Sequence, residues 1–280
     1  MLNTKVVIEQ YCKDNKQRYS EKYINDTRKT CNRFLDFCSK DYYEVTRKDI
    51  INWFSQLIDI GRKPSTLCTY LANLKSFYGY CLEEDLVEKD PTKNIITPKK
   101  EDSPPYYLNM KELNLLREES KKSVRVRAIV ETLYATGVRI NELLNIKLYD
   151  IDWKNDLKIL IKEAKGNKVR YVLFTTQCAE VLKEYLNTRK DSCPYLFVNK
   201  YDKRISAYSS VQWMFDKYSE ALGFKVTPHV LRHTLGAHLA MKGMPIDYIQ
   251  SLLGHDDIKN TKIYTELFEE ARKQEYEKLN

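Results

Sequence analysis

The feature that most limits what this chain can fold into is a break. The stretch "DPTKNIITPKKEDSPP" (residues 90–105) holds four prolines and no apolar periodicity. Proline lacks the amide that helices and sheets use, and it drives the residue before it out of the helical region. Such a composition reads as a linker. Regular hydrophobic spacing lies on both sides of it. The chain therefore divides into residues 1–96 and 105–280, joined by 97–104, and a length of 280 residues favours two cores over one.

The first part reads as successive helices. Candidates cover 3–14 and 20–39, and in the second Tyr23, Thr27, Cys31, Phe34 and Cys38 fall three and four apart on one face. "TRKD" (46–49) has the form of a capping box, opening a helix that carries Ile50, Trp53, Phe54 and Leu57. Gly61 ends it, and Pro64 opens a fourth helix to about residue 83 with Leu67, Tyr70, Leu71, Leu74, Phe77 and Tyr78 as its stripe. The second part predicts helices near 109–120, 124–136, 139–147, 176–189, 208–222, 228–242, 245–253 and 258–268. "DLKILIKEAKGNKVRYVLF" (156–174) has β-rich runs around "KGN" and reads as a hairpin. The fold class is thus mainly α with a small β-sheet.

Bulk properties narrow the function. The net charge of +8 favours a polyanionic partner. Residues 1–103 hold 18 Lys and Arg against 16 Asp and Glu, leaving 29 against 23 for the rest, so both parts are basic. The start is too broken by charge for a signal peptide, and no run is long enough to cross a bilayer. The seven cysteines show no CxxC pairing and read as reduced packing residues of a cytoplasmic protein. There is no P-loop, GxGxxG or HExxH, so nothing calls for a nucleotide, a dinucleotide or a catalytic zinc, and no cofactor is expected.

Four short stretches carry chemistry. In "ATGVRINELLNI" Gly137 ends one helix and Arg139 begins the next, with Glu142 three residues on to orient it. The hairpin turn offers Lys162, Lys165, Lys168 and Arg170. In "TPHVLRHTLGAHLAMKG" Thr227 and Pro228 start a helix on which His229 and Arg232 share a face, while His233 and His238 point elsewhere. "LLGHDDIKNTKIYT" places His255 after a helix-ending Gly254, and Tyr264 nine residues later. Taken singly, these read as a surface ion pair, a solvated turn and one tyrosine among 21. A zinc pair at His229 and His233 lacks a nearby cysteine or carboxylate ligand.

Taken in order, "TGVRINELLNI", "AKGNKVR", "HVLRHT", "LLGH" and "IYT" resemble the five signature blocks of the tyrosine site-specific recombinases, the phage-integrase and Xer-type family. The resemblance extends over most of the chain. It implies an N-terminal helical core-binding (SAM-like) bundle and a catalytic domain that together form a C-shaped clamp on duplex DNA. By resemblance, Arg139 and Arg232 grip the scissile phosphate, and His229 and His255 add donors and manage the tyrosine proton. Lys165 protonates the 5′-hydroxyl leaving group, Tyr264 forms a 3′-phosphotyrosyl bond, and Glu142 supports Arg139. The chain departs from the family around the hairpin, with Ala164 where Gly is frequent and "VLF" where a proline often follows the valine, so Lys165 and Lys168 compete for the same role.

The resemblance further implies inverted-repeat core sites as DNA partner. It implies a homotetramer, or a heterotetramer with a second recombinase, with residues 268–280 docking on a neighbouring subunit. Base readout is expected from the fourth helix and the 208–222 helix. No arm-binding domain is expected ahead of the bundle, which suits a Xer or mobile-element resolvase system. Two alternatives remain at this level: a type IB topoisomerase that only relaxes DNA, and a catalytically silent DNA-binding accessory protein.

Overall fold

A computed structural model describes residues 3–96, 105–154, 156–162, 169–205, 208–254 and 264–269. It resolves into two units, Met1–Ser103 and Pro104–Asn280.

The first unit is built from α1 (Thr4–Asp14), α2 (Glu21–Cys38), α3 (Arg47–Asp59) and α4 (Pro64–Glu83). Local sequence sets the ends. Asn3 and Ser20 cap α1 and α2 by accepting from backbone amides two or three residues on. The Asp49 carboxylate accepts from the Thr46 amide at 2.8 Å and so closes the start of α3. Pro64 takes the first turn of α4, where an amide would have no partner. Phe34, Trp53, Leu74, Phe77 and Tyr78 fill the core, and Trp53 stacks on Tyr70 at 5.3 Å. Cys31 is buried in this core and Cys38 packs against it. Within the same core Asn73 donates to the Thr30 hydroxyl at 2.9 Å and accepts from Thr27 at 3.4 Å.

The second unit comprises α5 (Met110–Ser120), α6 (Val124–Thr136), α7 (Ile140–Leu143), β1 (Ile151–Asp152), β2 (Lys158–Lys162), β3 (Val169–Leu173), α8 (Thr176–Asn187), α9 (Tyr208–Leu222), α10 (Pro228–Met241) and α11 (Ile246–Leu253). A helical stretch covers 264–269. The strands form an antiparallel sheet in the order β1-β2-β3, with Ile161 opposite Arg170. The short β1 was not expected from sequence: a two-residue strand carries no alternation to detect. Helix α6 lies against both α8 and α10. Leu116, Ile129, Leu133, Leu143, Ile159, Leu182, Phe215 and Leu231 form the main core. A smaller cluster joins Leu235, Ala240, Ile249, Leu253 and Tyr264, with Leu267 and Phe268 packed on it. The side chains of Arg117 and Glu131 pair in two hydrogen bonds of 2.7 and 2.9 Å between α5 and α6.

The expected helix at 139–147 is much shorter. Asn145 turns its side-chain amide back to the Asn141 carbonyl at 2.6 Å, and the chain then pairs with residues 194–196 through Leu196 N to Ile146 O and Leu148 N to Pro194 O. Those bonds replace the helical ladder. No helix of the described residues is long and apolar enough to cross a membrane.

Candidate active site

Three backbone features build the site. Gly137 ends α6 at φ +62°, and a Cβ there would meet Leu253 at 2.5 Å and Leu235 at 2.9 Å. Only glycine fits this left-handed position so close to α10 and α11. The reversal delivers Arg139 to the start of α7. Gly254, also left-handed, ends α11 beside it. Thr227 caps α10 by accepting from Val230 N, and Pro228 fills its first turn, which fixes where His229 and Arg232 sit along the helix.

Arg139 is held from two sides. Its Nη1 donates to Glu142 Oε1 at 3.1 Å and its Nη2 to the Gly254 carbonyl at 2.8 Å. Glu142 Oε2 accepts from the Arg139 amide at 2.7 Å. Arg170 on β3 grips the same carboxylate with both of its Nη atoms, at 3.0 and 2.8 Å. These donors hold the Glu142 carboxyl below its ordinary range against the opposing effect of burial. Arg232 is buried and donates to the Gly137 carbonyl at 2.5 Å and to the Leu253 carbonyl. Both acceptors are carbonyls at helix ends, where backbone oxygens lack helical partners. Burial, then the nearby Arg139, pulls the Arg232 guanidinium down to about 10.

His229 is held below its ordinary value by burial and by the charges of Arg232 and Arg139, so it is neutral at pH 7. Tyr264 is almost fully buried, and its hydroxyl lies 2.9 Å from His233 Nδ1. Burial pushes the phenol up to about 12, while Arg232 acts in the opposite sense. Burial, together with His229 and Arg232, brings His233 down to about 4. A neutral imidazole and a neutral phenol therefore share this hydrogen bond, with the tautomer of His233 deciding which of the two donates.

Arg139, Arg170 and Arg232 thus gather near the Glu142 carboxylate, with the buried Tyr264 phenol of the 264–269 stretch seated against α10 at His233. Like charges set this close lower one another's hold on a proton, as the Arg232 guanidinium shows. Among the described residues no group of three His, Cys, Asp or Glu could hold a metal ion. Lys165, Lys168 and His255 lie outside the described residues. Lys162 of the hairpin pairs with Asp150 at 2.7 Å. His238 is buried and its Nδ1 lies 3.0 Å from the Tyr134 hydroxyl.

His233 corrects the sequence expectation that it points elsewhere, since it holds the Tyr264 hydroxyl. A signal was present. Gly236 follows three residues later on the same face, and a Cβ there would lie 2.6 Å from Tyr264 Cζ. A glycine in mid-helix costs helix stability, so its presence there points to a close packing neighbour. Arg170 was read as one of four hairpin cations, and its grip on Glu142 was invisible because 28 residues separate the two.

Comparison with known proteins identifies the family. The model of the phage integrase family matches residues 107–271, and that of the phage integrase N-terminal SAM-like domain matches 9–88. The chain is 30% identical to tyrosine recombinase XerC of Pediococcus pentosaceus, covering 94% of this chain and 93% of the relative. It is 30% identical to tyrosine recombinase XerD of Oceanobacillus iheyensis, over 84% and 82%. The crystal structure of XerH site-specific recombinase bound to palindromic difH substrate shares the fold at a TM-score of 0.75 and 22% identity, covering 96% of this chain and 83% of that one. The chain belongs to the phage integrase family and is a tyrosine site-specific recombinase of the Xer type, an enzyme that cleaves and rejoins DNA.

Proposed function

We propose that Tyr264 is the nucleophile and that the pocket of Arg139 and Arg232 holds the scissile phosphate. The tyrosine oxygen attacks phosphorus, a 3′-phosphotyrosyl bond forms, and the bond to the 5′-oxygen breaks. The 5′-hydroxyl of a partner strand then reverses the step, so the energy of the phosphodiester is kept and no nucleotide cofactor is called for. The supporting observation is the convergence of Arg139, Arg232 and His229, with the Tyr264 ring seated against the helix that carries Arg232. A phosphodiester brings one negative charge and its five-coordinate transition state two, which clustered guanidinium groups stabilise. Neutral His229 can accept the phenolic proton as the attack proceeds. Lys165 is proposed as the acid that protonates the leaving oxygen, and His255 as a further donor.

Both parts of the chain carry a basic surplus, which supports duplex DNA contact by each. Base reading is proposed for α4 and α9. XerH is bound to a palindromic substrate, which supports inverted-repeat core sites for this chain. Two bound subunits per site would then assemble as a homotetramer, or a heterotetramer with a second recombinase, through residues 268–280. Domain limits of 1–96 and 105–280, a cytoplasmic location and a role in a Xer-like or mobile-element system belong to the same proposal. That the relatives are recombinases favours strand exchange over relaxation alone. A nicked suicide duplex carrying the target site tests the reading. Wild-type protein should form a covalent adduct on it, and Tyr264→Phe should bind the duplex with unchanged affinity yet form none. An adduct surviving that change removes Tyr264 from the role.

A further inference from the structure

Helix α10 carries two tyrosine–histidine pairs. His238 Nδ1 lies 3.0 Å from the Tyr134 hydroxyl, and the same imidazole bonds to the Leu108 backbone. That pair ties α6 and residue 108 to α10 and belongs to the packing. His233 Nδ1 lies 2.9 Å from the Tyr264 hydroxyl, the oxygen assigned above as nucleophile. Gly236 makes this contact possible. It lets the ring lie against the helix, with Cζ 2.6 Å and the hydroxyl oxygen 2.9 Å from the place of a Cβ.

Burial gives the contact a consequence. Tyr264 is 1% exposed, and a phenol so far from bulk water releases its proton to a protein group. His233 is half-buried and already within hydrogen-bond reach of the hydroxyl. Burial, His229 and Arg232 keep it neutral at pH 7, the form that accepts a proton. His229 stands one turn earlier on the same face and is exposed to solvent. The face therefore grades from a buried phenol, through a half-buried imidazole, to an exposed one. We infer that His233 is a catalytic residue: its Nδ1 takes the proton of the Tyr264 hydroxyl as that oxygen attacks phosphorus. The reactive tautomer carries its hydrogen on Nε2. The O–H bond breaks and an N–H bond forms at Nδ1. The electron pair of the tyrosine oxygen makes the bond to phosphorus, and the pair of the broken bond stays on the leaving 5′-oxygen. The negative charge of the bound phosphate favours the imidazolium, so the transfer waits for substrate. His229 is the next group along the face toward solvent. Rejoining runs the step backwards and returns the proton to the phenol oxygen. This rests on the nucleophile of the proposed function and names the group that activates it.

The test is single-turnover cleavage of the suicide duplex, with duplex binding and thermal melting measured alongside. His233→Gln keeps a polar partner for the hydroxyl but has no basic nitrogen. It should slow cleavage about 10²-fold, the lower end of what a positioned base supplies. Duplex affinity should stay within about threefold, because the phosphate contacts are untouched. His238→Gln alters the packing pair and should cleave within about threefold of wild type. An equal loss there would mean that both imidazoles act by packing α10, and the inference falls. The decisive readout replaces Tyr264 with a fluorinated tyrosine, whose phenol gives up its proton more readily. A more acidic phenol asks less of a base, so the penalty of His233→Gln should shrink to about tenfold or less. A penalty unchanged by fluorination means that His233 only positions the ring. A penalty that shrinks in His229→Gln but not in His233→Gln assigns the proton to His229 directly. Either result overturns the inference. Should His233→Gln fail to melt cooperatively, His233→Asn, with its amide at the Nδ1 edge of the ring, carries the same comparison. Tyr264→Phe separates the two levels. An adduct there removes the nucleophile itself, whereas no adduct there with wild-type cleavage by His233→Gln removes this inference alone.

Discussion

Helices α4 and α10 invite comparison, because each lies at the centre of its unit and each buries polar atoms beside a mid-helix glycine. In α4 the buried polar groups are neutral and matched. Asn73 bonds to Thr27 and Thr30, and the Tyr78 hydroxyl donates to the Tyr42 carbonyl at 3.2 Å. In α10 they include a buried guanidinium beside other guanidinium groups, and a half-buried imidazole brought down to about 4. Neutral pairs in a core add modestly to stability and fix a single packing. Buried like charges subtract from stability and persist where a ligand supplies the missing charge. The buried groups of α4 are matched within their own unit, whereas α10 sets a buried guanidinium beside others of the same sign.

The largest expected difference concerns Arg232. Arg232→Lys removes the planar fork and one of its two carbonyl partners. Cleavage of the suicide duplex should fall about 10²–10³-fold, the range seen when one preorganised donor to a developing anion is lost. The midpoint of thermal unfolding should move little, because the lost hydrogen bond is offset by relief of a desolvated charge. A drop in stability of about 3 kcal/mol or more would place Arg232 with the matched groups of α4 and break the comparison.

The two glycines come next. Gly79 in α4 has nothing within 4 Å of an added Cβ, whereas Gly236 in α10 has three atoms of Tyr264 within 3 Å. Gly79→Ala should raise stability by about 0.5–1 kcal/mol through the helix preference alone. Gly236→Ala gains the same preference and must then move a fully buried ring, for a net loss of about 1–3 kcal/mol. It should also reduce the covalent adduct, since the Tyr264 hydroxyl can no longer sit at His233. Denaturant melts of both variants give the signs. Equal stabilisation by both would mean that the ring has no fixed seat on α10.

These contrasts also mark what could be read without coordinates. The helices of the first unit were legible because each boundary is a local signal: Ser20, the Thr46–Asp49 box, Gly61 and Pro64 act within four residues of themselves. The placing of Arg139 between Gly137 and Glu142 was local in the same way. The end of α7 at Leu143 was not, because it depends on pairing with residues 194–196. Nor was the pairing of Arg170 with Glu142, or the seat of Tyr264 at His233, since neither contact leaves a periodic trace in sequence. The histidine helix showed which residues share a face; it could not show which of them met a tyrosine 31 residues away.

The smallest expected effect is a difference in how the two units meet mild acid. All four histidines fall between residues 229 and 255, so the first unit has none. His233 binds its proton only near pH 4 in the folded chain but near 6.5 when unfolded, because burial, His229 and Arg232 oppose the charged form. As pH falls through 6.5 the unfolded chain takes up a proton that the folded chain refuses, so stability declines toward pH 4 and then levels. His229 and His238 are held low as well and act with the same sign. Amide exchange compared at pH 7 and pH 5, after correction for the intrinsic rate, should show α10 losing protection while α4 holds. In His233→Gln the α10 loss should be shallower, because one of the three titrating groups is gone and the amide still accepts from the Tyr264 hydroxyl. Equal loss in both helices would mean that the units unfold as one, and a wild-type slope in His233→Gln would assign the acid response to His229 and His238 instead.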